Sequence, residues 1–337
     1  MHIQNLLILL LASITGLFLI FSFLFYIPSR QKKITEIIRD IENLLKVIPE
    51  TERYAIIENI AFFRACRSLP GYIYWGVTRR KKIQPKRLLE IADLPLPKWE
   101  QELYNNLSII ERRNFPGLTK PLRNILIHEI THRGRRIILD LGCGSMEAER
   151  QTLHEIKRLK YNVNPIFIGV DSSPQAWDAI KSAFSEFSNF VHIKKIYNKE
   201  DINKNPAKPT VYFYCADGLE AARQLKGKYD LLFSSRFKHH LNQNDKKKIN
   251  KIYKEVPLAI EYDDYRTKLG WILPLSTAWN RPILLNGAVF SQIRQPSKTT
   301  LLREKSNNKH PKIKMFNPPG AYARVFSNKL DWWGGDD

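Results

Sequence analysis

The chain has 337 residues, enough for a core of one large or two modest domains. Its three cysteines, Cys66, Cys143 and Cys215, show no paired short spacing, which excludes a disulfide scaffold or a zinc knuckle and suits a reducing compartment. Lys and Arg outnumber Asp and Glu by 54 to 33, a formal net charge of +21 that attracts an anionic membrane face or nucleic acid. No regular basic–aromatic recognition motif accompanies the charge, so nucleic acid is disfavoured as a partner.

The first predicted element is Leu6 to Pro28, uncharged and dense in Leu, Ile and Phe. About 20 such residues cross a bilayer as a helix. No Lys or Arg precedes the run and no small-residue cleavage site follows it, so a cleaved signal peptide fits poorly. Residues 6–28 are therefore expected to be a transmembrane helix. Arg30, Lys32 and Lys33 follow at once, which predicts a single-pass membrane protein with the bulk of the chain cytoplasmic. Next, Ile34, Ile37, Ile38, Ile41, Leu44, Leu45 and Ile48 recur at three- and four-residue steps, one amphipathic helix face that stops near Pro49. Arg79 to Arg87 is a basic segment broken by Pro85, and Pro95 and Pro97 mark a loop. Residues 30–130 are expected to form a helical lead-in that covers the active site and helps select the substrate.

His128-Glu129-Ile130-Thr131-His132 matches His-Glu-x-x-His, the metal-binding helix of zinc metallopeptidases. Residues four apart share a helix face, so both imidazoles face one zinc while Glu129 activates water. Gly134 and a strand follow almost immediately, and no third ligand is obvious.

Ile137 to Gly144, Ile-Ile-Leu-Asp-Leu-Gly-Cys-Gly, is an apolar strand that ends in an acid and meets a Gly-x-Gly turn. Met146 to Lys160 then has helix-forming composition. A strand, a glycine turn and a helix N-terminus let backbone approach a ligand closely. Asp140 adds a carboxylate to the same crevice, which suits a cationic or amine-bearing ligand better than a diphosphate.

This segment resembles the first motif of the class I S-adenosylmethionine-dependent methyltransferases, an apolar strand followed by Asp/Glu-x-Gly-x-Gly-x-Gly. Asp140, Gly142 and Gly144 match, and Met146 stands at the third glycine position, where it would crowd the methionine end of the cofactor. A dinucleotide fingerprint fits worse, because its last glycine falls on Glu147. Pro165 to Val170 reads as a second buried strand, closed by Asp171, an acid placed to accept both ribose hydroxyls. Val211 to Ala216 is a third, ending in Asp217-Gly218; in the resembled family an acid here reaches the adenine amino group. Tyr229 to Ser235 is a fourth, followed by Arg236-Phe-Lys-His-His-Leu241, which looks like the family's Ser-x-x-x-His-His-Leu loop. Leu258 to Asp264 fits a fifth. For each acid at a strand end, helix capping is the competing role. Lys194 to Lys208 is expected as an inserted surface loop. Ala288 to Arg294 and Ala321 to Ser327 are expected as a closing antiparallel hairpin. Asn317-Pro318-Pro319-Gly320 is expected as a loop before that last strand.

The resemblance covers roughly residues 130 to 328. It implies an α/β fold: a Rossmann-like, doubly wound, seven-stranded sheet, mostly parallel with a C-terminal antiparallel hairpin. The domain would span 131–328, with a flexible tail over 329–337. It further implies S-adenosyl-L-methionine as cofactor, with Asp140, Gly142, Cys143, Gly144, Asp171, Ser172, Asp217, Gly218 and Ser234 around it. His240, or His239, would be the base for a hydroxyl acceptor. Membrane attachment points to a small-molecule or lipid-like acceptor. Two alternatives stay open: a membrane-anchored zinc metallopeptidase using His128 and His132, and a catalytically inactive scaffold of the same fold.

Overall fold

The computed structural model describes residues 28–113, 116–267, 271–272, 274–306, 311–316 and 321–327. The expected membrane helix lies, apart from Pro28, outside these residues, as do the Asn-Pro-Pro-Gly loop and the tail. Among the described residues no helix is long and apolar enough to cross a membrane.

Helices α1 (Pro28–Leu44), α2 (Glu50–Ala65), α3 (Leu69–Thr78), α4 (Pro97–Arg113) and α5 (Pro116–Thr131) precede the sheet. Strand and helix then alternate through β1 (Ile137–Leu141), α6 (Glu147–Arg158), β2 (Ile166–Asp171), α7 (Gln175–Phe184) and β3 (His192–Ile196), and β4 (Thr210–Cys215) follows β3 with no α-helix between them. There follow α8 (Gly218–Gln224), β5 (Leu231–Ser235), α9 (Gln243–Glu255) and β6 (Leu258–Asp264). The chain closes with α10 (Leu275–Ala278), α11 (Pro282–Arg294), α12 (Lys298–Ser306), β7 (Lys312–Phe316) and β8 (Ala321–Ser327).

Two compact units emerge, divided at Trp99/Glu100 and again around residues 269–293. In the first unit, α1 buries Ile34, Ile37, Ile38 and Ile41, the face that its three- and four-residue steps predict. The Phe62 ring meets Tyr72, Trp75 and Phe290 edge-on, with centroids 5.0–6.1 Å apart. A buried amide pair ties α11 to α2: Asn286 Nδ2 donates to Asn59 Oδ1 at 2.9 Å, and Asn286 Oδ1 accepts from Ile91 N–H at 3.0 Å. Each member satisfies a group that would otherwise be stranded away from water. Arg30 is buried too, its guanidinium 3.9 Å from the Trp279 ring centre and its Nε donating to the Trp279 carbonyl at 2.7 Å.

The second unit holds an eight-stranded sheet in the order β3-β4-β2-β1-β5-β6-β8-β7. Every pairing is parallel except those of β8 with β6 and β7, so β8 alone runs backwards. The central strands β1 and β2 are buried at every position, as strands covered on both faces must be. Ile138, Phe167, Phe213 and Phe233 face α5, α6 and α7, while Leu139, Ile168, Leu232 and Ala259 face α8 and α9. This is a doubly wound arrangement.

Two expectations need correction. The sheet has eight strands, not seven, because His192–Ile196, overlapping the expected insertion, forms the edge strand β3 beside β4. Its Lys194 and Lys195 suit a strand with one open side and disguise it as a loop. The residues from Ala288 to Arg294 are helical, the second half of α11. Buried Ile283, Leu284, Val289, Phe290 and Ile293 recur at helical spacing behind Pro282, and a reading that starts at Ala288 cuts that period in half. The true hairpin partner of β8 is Lys312–Phe316.

Candidate functional site

The winding reverses at β1, with β2, β4 and β3 laid to one side and β5 and β6 to the other. Open α/β sheets bind ligands outside the carboxyl ends of the strands at such a point. There the N–H groups of Gly142 and Cys143 both donate to the Val170 carbonyl, at 2.8 and 3.0 Å, which hangs the glycine turn on the end of β2. Gly142 (φ 69°), Gly144 (φ 50°) and Met146 (φ 54°) all adopt the left-handed conformation. Glycine takes it freely; Met146 holds it at a cost of about 1 kcal/mol. The Met146 side chain is fully buried in the core, and the absent side chain of Gly169 makes its room: a Cβ there would meet Met146 Sδ at 2.6 Å and Cys143 Sγ at 2.8 Å. Met146 therefore packs against β2, and the crowding expected of it at the crevice gives way to a core contact.

Two carboxyl groups meet behind the turn. Asp140, 2% exposed, shares a hydrogen bond with Glu149, 1% exposed, from the first turn of α6. Burial first, then the Glu149 carboxyl, push Asp140 well above the ordinary carboxylate range. Among the described residues its Oδ1 has no hydrogen-bond donor.

Asp171, at the tip of β2, is the hub of the crevice. Its Oδ2 accepts from Gly144 N–H at 3.0 Å; its Oδ1 accepts from Ser173 N–H at 2.9 Å and from the Tyr104 hydroxyl of α4 at 3.2 Å. Burial raises its carboxyl, and these three donors oppose the rise without cancelling it. His240 adds a further interaction that favours the carboxylate.

The loop after β5 brings in the histidines. Arg236 Nε bonds Asp264 at 3.1 Å, Lys238 Nζ bonds Glu261 at 2.5 Å, and His239 Nδ1 lies 2.8 Å from Asp263 Oδ2, all acids of β6. Burial lowers His239 despite the opposing pull of Asp263, so the ring is neutral and its Nδ1–H donates. The His240 ring sits 4.2 Å from that of His239, and Arg294 Nη2 donates to the His240 carbonyl at 2.9 Å.

Not every expected residue joins. Ser234 is turned to the α9 face, its hydroxyl 2.5 Å from the Tyr253 hydroxyl, because it alternates with Phe233 along β5. Asp217 is exposed and caps α8, accepting from Glu220 N–H at 2.9 Å. Gly142 and Gly218 both face Phe237; a Cβ on them would approach its ring to 2.4 and 3.2 Å. Cys143 buries its thiol in the turn, and Ser172 is exposed beside Asp171. Glu149, Tyr104 and Phe237 are the additions. An acid in the first turn behind a glycine loop was a readable signal for Glu149; Phe237 lies inside the Arg236–Leu241 loop singled out above, and Tyr104 had no signal.

The His-Glu-x-x-His segment does not assemble a metal site. His132 lies past the last residue of α5, and its ring stacks on His128 with centroids 5.0 Å apart. Glu129 is buried 3.9 Å from Arg135. Among the described residues no third Asp, Glu, His or Cys joins the pair.

No protein-family model and no curated protein matches the chain. Among solved structures it is similar to the methyltransferase domain of a bacterial Hen1 protein, with 13% identity over 63% of this chain and 100% of that one and a TM-score of 0.38. It is similar to the plantazolicin methyltransferase BamL in complex with a triazolic analogue and SAH: 14% identity, 69% and 90% covered, TM-score 0.42. A third is the small RNA methyltransferase HEN1, with 17% identity, 63% and 25% covered and a TM-score of 0.41. At this distance the chain's own residues remain the basis for its function.

Proposed function

We propose that the chain is an S-adenosylmethionine-dependent methyltransferase. The reading is carried by one observation: a buried Asp140 carboxyl, whose Oδ1 has no donor among the described residues, lies beside Glu149 at the end of the central strand. A buried acid pair is relieved by a cation, and a ligand ammonium supplies one. Asp171, in the same crevice, already accepts one hydroxyl. A ligand offering an ammonium at one end and hydroxyls at the other is an amino acid joined to a nucleoside, which is the make-up of S-adenosylmethionine. The donor set fits that group.

In this reading Asp140 and Glu149 hold the ammonium, and Asp171 holds the ribose while the Gly144 N–H keeps its carboxylate oriented. The cofactor supplies an activated methyl on a sulfonium sulfur. The protein's share is to fix an acceptor in line with that methyl, which is the larger part of such catalysis. His240, beside the His239 ring that Asp263 holds, takes the proton of a hydroxyl acceptor. Asp217 stands at the strand end where the adenine amino group would lie.

The setting rests on the sequence. Uncharged Leu6 to Pro28, with Arg30, Lys32 and Lys33 behind it, favours a single-pass protein whose enzyme faces the cytoplasm. That location favours a small or lipid-like acceptor at the membrane face.

Calorimetric titration of the full chain with S-adenosylhomocysteine tests the reading. We expect saturable one-site binding, and a loss of roughly 100-fold in Asp171→Ala, because two hydroxyl contacts to a charged acceptor are worth about 1.5 kcal/mol or more each. A wild-type protein that takes up no S-adenosylhomocysteine would overturn it.

A further inference from the structure

The Asp171 carboxylate has a limited number of places for donors, and the structure shows how they are filled. A carboxylate offers about four acceptor positions, two on each oxygen. Ser173 N–H and the Tyr104 hydroxyl take both positions on Oδ1; Gly144 N–H takes one on Oδ2. Among the described residues no donor takes the fourth position, and a ribose brings two adjacent hydroxyls. The two backbone donors belong to the turns that shape the crevice, so neither leaves without undoing the site. The Tyr104 hydroxyl is the donor that can give way.

Tyr104 is also well placed to compete. Its ring covers the glycine turn, with Cε1 3.7 Å from the position of a Cβ on Gly144. The ring packs against the same core cluster as Cys143 and Met146, so it keeps its anchorage when only the hydroxyl is displaced. Burial, and then the neighbouring Asp171 charge, hold its phenol far above the ordinary range, so it stays a donor at every working pH.

We propose that Tyr104 is a specificity-determining residue for the nucleoside: its hydroxyl competes with the ribose for Asp171 and lowers the site's preference for a two-hydroxyl ribose over one with a single hydroxyl. The inference rests on the cofactor reading above and adds a residue to it. A single-hydroxyl ribose fits the remaining position with Tyr104 in place, whereas a full ribose must first break the Tyr104–Asp171 bond.

The test titrates the full-length wild type and Tyr104→Phe with S-adenosylhomocysteine and with its 2′-deoxy counterpart. In Tyr104→Phe we expect S-adenosylhomocysteine to bind roughly three- to tenfold tighter, the value of one displaced hydrogen bond, and the 2′-deoxy ligand to change by less than about twofold. The ratio between the two ligands therefore widens. Tyr104→Leu, which removes the same hydroxyl with a different side chain, should widen it in the same direction and guards against a folding defect in either variant. If the variants bind S-adenosylhomocysteine no tighter than wild type does, or the ratio stays put, Tyr104 does not compete and this inference fails while the cofactor reading stands. If neither ligand binds wild type or variants, the cofactor reading itself is lost, and this inference with it.

Discussion

At the end of β1 a carboxyl group is 2% exposed and hydrogen-bonded to a second one, Glu149. Its pKa in the folded chain is above its unfolded value, so its contribution to stability is full below about pH 4 and is lost as pH rises through the raised folded pKa. Asp140→Asn removes that loss. We expect the variant to be more stable than wild type at pH 8 by on the order of 1 kcal/mol, with the gap closing toward pH 4, while its affinity for S-adenosylhomocysteine falls. Urea unfolding at several pH values checks this, and a gap independent of pH would count against it. Asp140 and Asp171 were legible because strand, acid and glycine turn are contiguous in sequence. Tyr104 was not, because a hydroxyl that arrives from a separate helix leaves no local pattern. Ser234 misled for a different reason: it stands at the right strand end, but strand alternation turns it to the opposite face.

The strand–turn–helix unit from β1 to α6 depends on a trade between two residues of unlike sequence position. Met146 occupies a backbone conformation suited to glycine, and Gly169 in β2 is bare where the Met146 sulfur lies. Gly169→Ala forces a Cβ to 2.6 Å from that sulfur, and we expect a loss of about 2 kcal/mol. Met146→Gly relieves the backbone but empties core volume, also at a net cost. Together they should cost less than the sum of the two, by about 1 kcal/mol, in a thermal or urea double-mutant cycle; strict additivity would mean the two residues are not in register. Elements with long buried runs, such as β1, β2 and β4, could be read from sequence. β3 and β7 could not, since a lysine-bearing five-residue edge strand lacks the continuous apolar signal of a central one. In α11 the helical period is visible only when Pro282 is taken as its start.

At the scale of the whole molecule, the alternation of strand and helix and the winding point at β1 followed from the order of the acids at the strand ends. The eighth strand did not, because its edge position leaves it without a continuous apolar run. The charge of +21 suits an anionic membrane face or a polyanion. Part of it lies on the borders of the sheet. An open sheet exposes unpaired N–H and C=O groups along its two outer strands, and a second molecule can add to them. Here those strands are β3 and β7, which carry Lys194 and Lys195 on one border and Lys312 and Lys314 on the other. Two copies meeting border to border would bring these ammonium groups together in a dry seam, at a cost that rises with each pair. Replacing all four by Thr should leave S-adenosylhomocysteine binding intact yet raise the rate of aggregation several-fold, as followed by light scattering at high protein concentration. An unchanged rate would show that the lysines do not guard the borders. A raised rate would mark four lysines out of the chain's large excess as acting against a partner, by keeping the sheet from being extended by a copy of itself.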